Sequence, residues 1–180
     1  MKLRNTYFIL LITIAGLLGI APLHAAPSSA GTPKAKTSIE IDMVGVEDVS
    51  VPEEFQVSLY ENLLQQMNKR SDFDVVYRDG DRNAQSKDNL LLMHSTITGF
   101  RKGSERDRQV TTVKGATKIM VHCQFTDKQG RVLLQRDIEG KVLFFGNNLK
   151  ATEDFAKKAA RAADDALSVY QANPEHRGGA

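Results

Sequence analysis

The sequence predicts an α+β single domain: a mostly antiparallel five-stranded sheet with two helices on one face, in the order β-α-β-β-β-β-α. Three observations carry this expectation. Several stretches show the two-residue apolar alternation of half-buried strands, two others repeat apolar residues at helical spacing, and Asp127-Lys128-Gln129-Gly130 supplies a tight turn between two strand patterns.

The first strand spans Ser38 to Val46, where Ile39, Ile41 and Met43 alternate with Glu40 and Asp42. Pro52, Glu53 and Glu54 then open a helix, because proline suits a first turn and acids there complement the helix dipole. Phe55, Leu59, Leu63 and Met67 recur every four residues and form its apolar stripe; Lys69 and Arg70 close it. Phe73, Val75 and Tyr77 make a short second strand, ended by the turn-rich segment Arg78 to Ser86. Leu90 to Arg101 reads as the third strand and Thr117 to Thr126 as the fourth, with Ile119, Val121, Cys123 and Phe125 on one side. The fifth strand runs from Arg131 to about Phe145. Pairing Phe125 with Val132 sets Cys123 beside Leu134 and Ile119 beside Ile138. The last helix extends from about Thr152 to Tyr170 along a seam of Phe155, Ala159, Ala162, Ala166, Leu167 and Tyr170.

The first 25 residues have a different logic. Lys2 and Arg4 precede an apolar run from Tyr7 to Ile20, then Pro22 and the small residues Ala25, Ala26 and Ser28, which is the layout of a cleavable secretory signal. The apolar stretch is about 15 residues, short of the roughly 20 that span a bilayer. Cleavage after Ala25 and after Ala30 both fit. Residues 26–37 read as a flexible leader and 173–180 as a disordered tail, leaving 38–172 as the folded domain. Removing Lys2 and Arg4 takes the 24 basic residues to 22, which balances the 22 acidic ones. That neutrality argues against a nucleic-acid partner, which needs uncompensated Lys and Arg. With Cys123 the single cysteine, neither an intrachain disulfide nor a lipid-modified N-terminal cysteine is expected.

Few residues suggest chemistry. His94 and His122 lie on the third and fourth strands, and a hairpin centred near Arg108 would set them face to face on the outer side. Glu105 or Asp107 would be a third ligand for a metal there, but no H-x-H, H-E-x-x-H or C-x-x-C spacing supports one. Cys123 falls within an apolar face and reads as a core thiol. The polar stretch Gly99 to Thr112 reads as a solvated hairpin tip, with Glu105 and Asp107 offsetting part of the charge of Arg101, Lys102, Arg106 and Arg108. Glu53-Glu54 and Asp164-Asp165 are helix neighbours about 100° apart and cannot act on one bond. No catalytic residue, metal or cofactor is assigned.

The phrases Ile97-Thr98-Gly99-Phe100 with Gly103-Ser104 and Arg108, Gly115-Ala116-Thr117-Lys118-Ile119, Asp127-Lys128-Gln129-Gly130-Arg131-Val132-Leu133, and Gly140-Lys141-Val142 with Phe145-Gly146 and Ala151-Thr152 occur in one order. Over about residues 92–157 the chain thereby resembles the domain of unknown function 4410 family, exported bacterial envelope proteins that share a GF-x-x-GS-x-x-x-R hairpin and a D-x-x-G-x-x-L hairpin. The resemblance implies an envelope location and carries no activity. The expected function is an exported, non-enzymatic module, periplasmic or secreted, without a stable membrane span after cleavage. It would bind a protein or envelope component through Arg101, Lys102, Arg106, Arg108, His94 and His122. The competing reading is a small-ligand or metal-binding protein, or a hydrolytic enzyme, working from the His94/His122 face. A homo-oligomer is compatible with either.

Overall fold

Apolar alternation becomes a sheet only when its buried face finds a cover, and here two long helices supply it. The computed structural model describes residues 36–70, 72–110, 115–144 and 146–173. The expected signal, residues 26–35 of the leader and residues 174–180 of the tail lie outside the described residues. In chain order the elements are β1 (Thr37–Ile41), β2 (Gly45–Val46), α1 (Glu53–Asn68), β3 (Phe73–Arg78), α2 (Arg82–Gln85), β4 (Leu90–Arg101), α3 (Glu105–Val110), β5 (Thr117–Asp127), β6 (Val132–Val142) and α4 (Lys150–Ala172). Thr37, assigned to the leader from sequence, is instead buried at the start of β1.

The α+β class is as expected, but the sheet is mixed. Its order is β3-β1-β4-β5-β6, with β2 also paired to β4. β1 runs parallel to both β3 and β4, and β2 parallel to β4, whereas β4/β5 and β5/β6 are antiparallel. The reason is α1: a helix between two neighbouring strands carries the chain back to its starting end, so the strands it joins lie parallel. The single strand expected over Ser38–Val46 is also interrupted, since residues 42–44 leave the ladder before β2 rejoins β4. Two short helices, α2 and α3, occupy stretches read as turn and hairpin tip.

Bulges account for the differences in register. Between β1 and β3, Thr37 pairs with Phe73 but Ile39 with Val76, so β3 gains a residue and its side chains change face. Phe73 therefore joins the main core, while Tyr77 packs on the opposite face with Ala84 and Leu90, and Val75 is exposed. Between β5 and β6, Thr126 pairs with Val132 but Phe125 with Leu134. Phe125 is thus two residues from its expected partner; Cys123 sits beside Arg136, and Ile119 beside Gly140.

The stripes behave as expected. Phe55, Leu59, Leu63 and Met67 of α1 are fully buried, as are Phe155, Ala159, Ala162 and Ala166 of α4. They close over Ile39, Ile41, Leu91, Met93, Val121, Cys123 and Phe125 of the sheet. The two helices run side by side in the same direction, because Ser58 and Asn62 meet Thr152 while Arg70 meets Asp164 further along. Gly140 sets the depth of α4: a Cβ there would stand 2.2 Å from the Ala151 carbonyl oxygen and 2.6 Å from the Phe155 Cβ. Gly140→Ala is expected to cost about 3 kcal/mol or more, since the obstacle is helix backbone. Gly130→Ala, at φ +79° with open space around it, should cost only about 1–2 kcal/mol of backbone strain. Urea denaturation of both variants checks the contrast.

Candidate functional site

The connection from β4 to β5 is built around Arg108. A four-residue step returns the Arg108 N–H to the Ser104 carbonyl, and the Ser104 hydroxyl accepts the Asp107 N–H, so Ser104 starts the short helix α3. That turn directs the Arg108 side chain inward, where it is only 4% exposed. Its Nη1 donates to the carbonyl of Gly115 (2.6 Å), its Nη2 to Gly146 (2.9 Å) and its Nε to Phe144 (3.1 Å). Thr117 extends the network: its hydroxyl accepts the Gly103 N–H at 2.9 Å and donates to Asn148 Oδ1 at 2.6 Å. Glu105 turns back to accept the Asn148 N–H. One guanidinium thus ties α3, the start of β5 and the approach to α4 together.

This corrects the expectation for Arg108, which is a buried structural clamp and offers no contact surface. The fork of donors on guanidinium fits several carbonyls converging from different segments, so burial is favoured over solvation. The phrase Gly103-Ser104-x-x-x-Arg108 held the clue, since four residues is one helical turn. Gly103 packs so closely that a Cβ would lie 2.0 Å from the Gly115 carbonyl oxygen. Arg101, Lys102 and Arg106, by contrast, are all exposed. Arg101 and Lys102 border a cavity of about 430 Å³ with Gly103, Ser104, Asp107, Gly115 and Ala116.

The two histidines share the outer face but do not meet as expected. His94 lies opposite Gln124, and His122 opposite Thr96, so they are diagonal neighbours. The connection containing α3 is centred beyond Arg108, which offsets the pairing from the symmetric hairpin that sequence spacing implied, and the irregularity between Ile97 and Gly99 takes back only part of that offset. Each histidine has its own carboxylate: His94 Nδ1 lies 2.5 Å from Asp42, and His122 Nδ1 lies 2.7 Å from Asp137. Glu105, considered as a third ligand, belongs to α3 beyond the end of β4 and bonds to Asn148 instead. Cys123 is fully buried, and burial pushes its thiol up to about 12, so it is inert at neutral pH.

A cluster not anticipated from sequence lies at the C-terminal end of β1. Oxygens of Glu40, Asp42 and Asp79 lie within 4.8 Å of one another. The parallel pairing of Ile41 with Arg78 brings the following residues, Asp42 and Asp79, together. Each carboxylate has a protein partner: Glu40 accepts the Gly80 N–H, Asp79 the Met43 N–H, and Asp42 is held by His94. Burial raises the Glu40 carboxyl, reinforced by Asp42, Asp79 and Asp81, although the Gly80 N–H opposes it. Burial also raises Asp42 despite the adjacent His94.

Two outcomes follow. Arg108→Met keeps the apolar stem but orphans the carbonyls, at a cost of about 3 kcal/mol in thermal or chemical denaturation. Arg108→Lys should restore little of it, having one nitrogen where three are used. A carboxyl raised in the folded state favours folding below its ordinary value, 4.5 for Glu40, and loses that contribution as pH rises through the folded value. Glu40→Gln, which retains an acceptor for Gly80, should therefore raise Tm at pH 7, with the advantage shrinking below pH 4.5.

Among the described residues, no helix is long and apolar enough to cross a membrane. Neither a family model nor a curated protein matches the chain. Solved structures of similar shape do exist. The PelC dodecamer from Paraburkholderia phytofirmans aligns at 11% identity with a TM-score of 0.53, covering 77% of this chain and 89% of that one. A DUF330-family protein from Xanthomonas campestris aligns at 9% identity with a TM-score of 0.49, covering 79% and 90%. A hypothetical protein from Chlamydia trachomatis aligns at 9% with a TM-score of 0.47, covering 77% and 100%. At these identities the PelC alignment shows a shared fold and nothing further.

Proposed function

We propose that this chain is an exported, non-enzymatic module of the bacterial cell envelope, periplasmic or secreted, that binds a protein or another envelope component. The observation that carries the reading is the tip clamped by Arg108. It holds Arg101, Lys102 and Arg106 in solvent around a fixed backbone. A contact surface needs charged groups whose placement is settled before the partner arrives, since ordering them on binding costs free energy. Glu105 is likewise fixed in place by the Asn148 N–H. The outer sheet face continues the surface through His94 and His122, each about two-fifths exposed and each oriented by an aspartate.

The N-terminal segment and the family resemblance over residues 92–157 support the envelope location. A homo-oligomer belongs to the same reading; PelC, which shares the fold, forms a dodecamer. Crosslinking of the purified chain to envelope extract tests the contact surface. Replacing Arg101, Lys102 and Arg106 together by Glu should reduce capture of a given partner at least about tenfold, and high salt should weaken capture by the wild type. Arg82→Glu, also exposed but away from the tip, should leave capture unchanged. Equal capture by the triple variant and the wild type would overturn the proposal.

A further inference from the structure

The two long helices form a second cationic site, remote in sequence from the tip. Because α1 and α4 run in the same direction and α1 ends first, a cleft of about 240 Å³ opens beside the end of α1. It is lined by Gln66, Lys69 and Arg70 from α1 and the residues after it, and by Lys157, Ala160 and Arg161 from α4. Ala160 is 2% exposed and gives the cleft a small-residue floor. The cations stand along its walls.

What sets these cations apart is that they converge on one concavity from two helices. On the neighbouring surfaces of α1, β6 and α4, Arg78 meets Glu61, Arg136 meets Asp165, and Lys158 meets Asp154. In the cleft only Arg70 does so, at 2.8 Å from Asp164. Lys69, Lys157 and Arg161 have no ion-pair partner among the described residues. Lys157 and Arg161 are also four residues apart on one helix, where like charges repel. With the Arg70–Asp164 pair neutral and Asp72 nearby, Lys69, Lys157 and Arg161 leave a net positive charge at one concavity.

We propose that this cleft binds a phosphomonoester group. A carboxylate would leave two of these cations uncompensated, whereas a phosphate carries about −1.5 to −2 charges near neutral pH and offers three acceptor oxygens. The guanidinium of Arg161 suits bidentate contact with two of those oxygens, and the lysines act as point charges on the third. A free phosphate ester and the headgroup of a phosphomonoester lipid present the same chemistry.

The test titrates the ¹⁵N-labelled full chain with sodium phosphate at constant ionic strength. Saturable shifts confined to residues around Lys69, Lys157 and Arg161 are expected. Affinity should fall roughly tenfold or more in the Lys157→Gln/Arg161→Gln variant, which removes two charge-assisted contacts. Lys69→Gln, outside α4, should weaken binding as well; unchanged circular dichroism shows that both variants are folded. Flotation with phosphatidic acid vesicles, but not with phosphatidylcholine vesicles, assigns the ligand to a lipid headgroup. A phosphate response without flotation assigns it to a soluble ester. No saturable response, or an equal response in the double variant, overturns the proposal.

Discussion

The close seating of α4 on the sheet is the contact on which the rest of the molecule depends. Alanine at positions 151, 156, 159, 160, 162, 163 and 166 removes the bulk that would hold the helix away, and Gly140 removes it from the strand below. At that distance the helix does more than cover apolar surface. Asp154 accepts the Lys141 N–H and Lys158 donates to the Glu139 carbonyl, so two polar groups on the edge strand β6 are satisfied by side chains of α4. An edge capped in this way is less available for pairing with another chain. Thr152 meets Ser58 and Asn62, which aligns α1 beside α4. The cationic cleft is a consequence of that alignment, since its two walls come from different helices.

A second constraint is the placement of irregularities in the sheet. Side chains alternate with a period of two, so one added residue changes every face assignment beyond it. The bulge in β3 moves Tyr77 to the outer face, where it joins Ala84 and Leu90 under the short helix α2. The bulge between β5 and β6 changes the partners of Cys123 and Ile119 while leaving both in the core. The off-centre connection between β4 and β5 turns two expected opposite histidines into diagonal neighbours, His94 paired with Asp42 just past β1 and His122 with Asp137 on β6. Burial thus tolerates these shifts, but the geometry of the outer face does not.

Arg108 shows how charge can act structurally. In a solvated hairpin it would belong to the same basic group as Arg101, Lys102 and Arg106. One turn of helix from Ser104 turns it inward instead, and three carbonyls from two separate segments replace its water. The fold thereby separates these four basic residues into one that holds the backbone and three that face solvent. Such a division lets a surface be charged and rigid together.

The sequence by itself determined the α+β class, both long helices with their buried stripes, the full extent of β4, and the tight turn that precedes β6. These depend on local periodicity and capping, which a few neighbouring residues specify. It also identified Cys123 as a core thiol, because alternation alone assigns it to the apolar face. Only the tertiary structure decided the parallel pairing of β1, the register of the histidines, the acidic cluster of Glu40, Asp42 and Asp79, and the burial of Arg108. The physical reason is common to all four. Each depends on which distant segments lie side by side, and a one-residue bulge or a single helical turn changes that outcome while barely disturbing the local pattern.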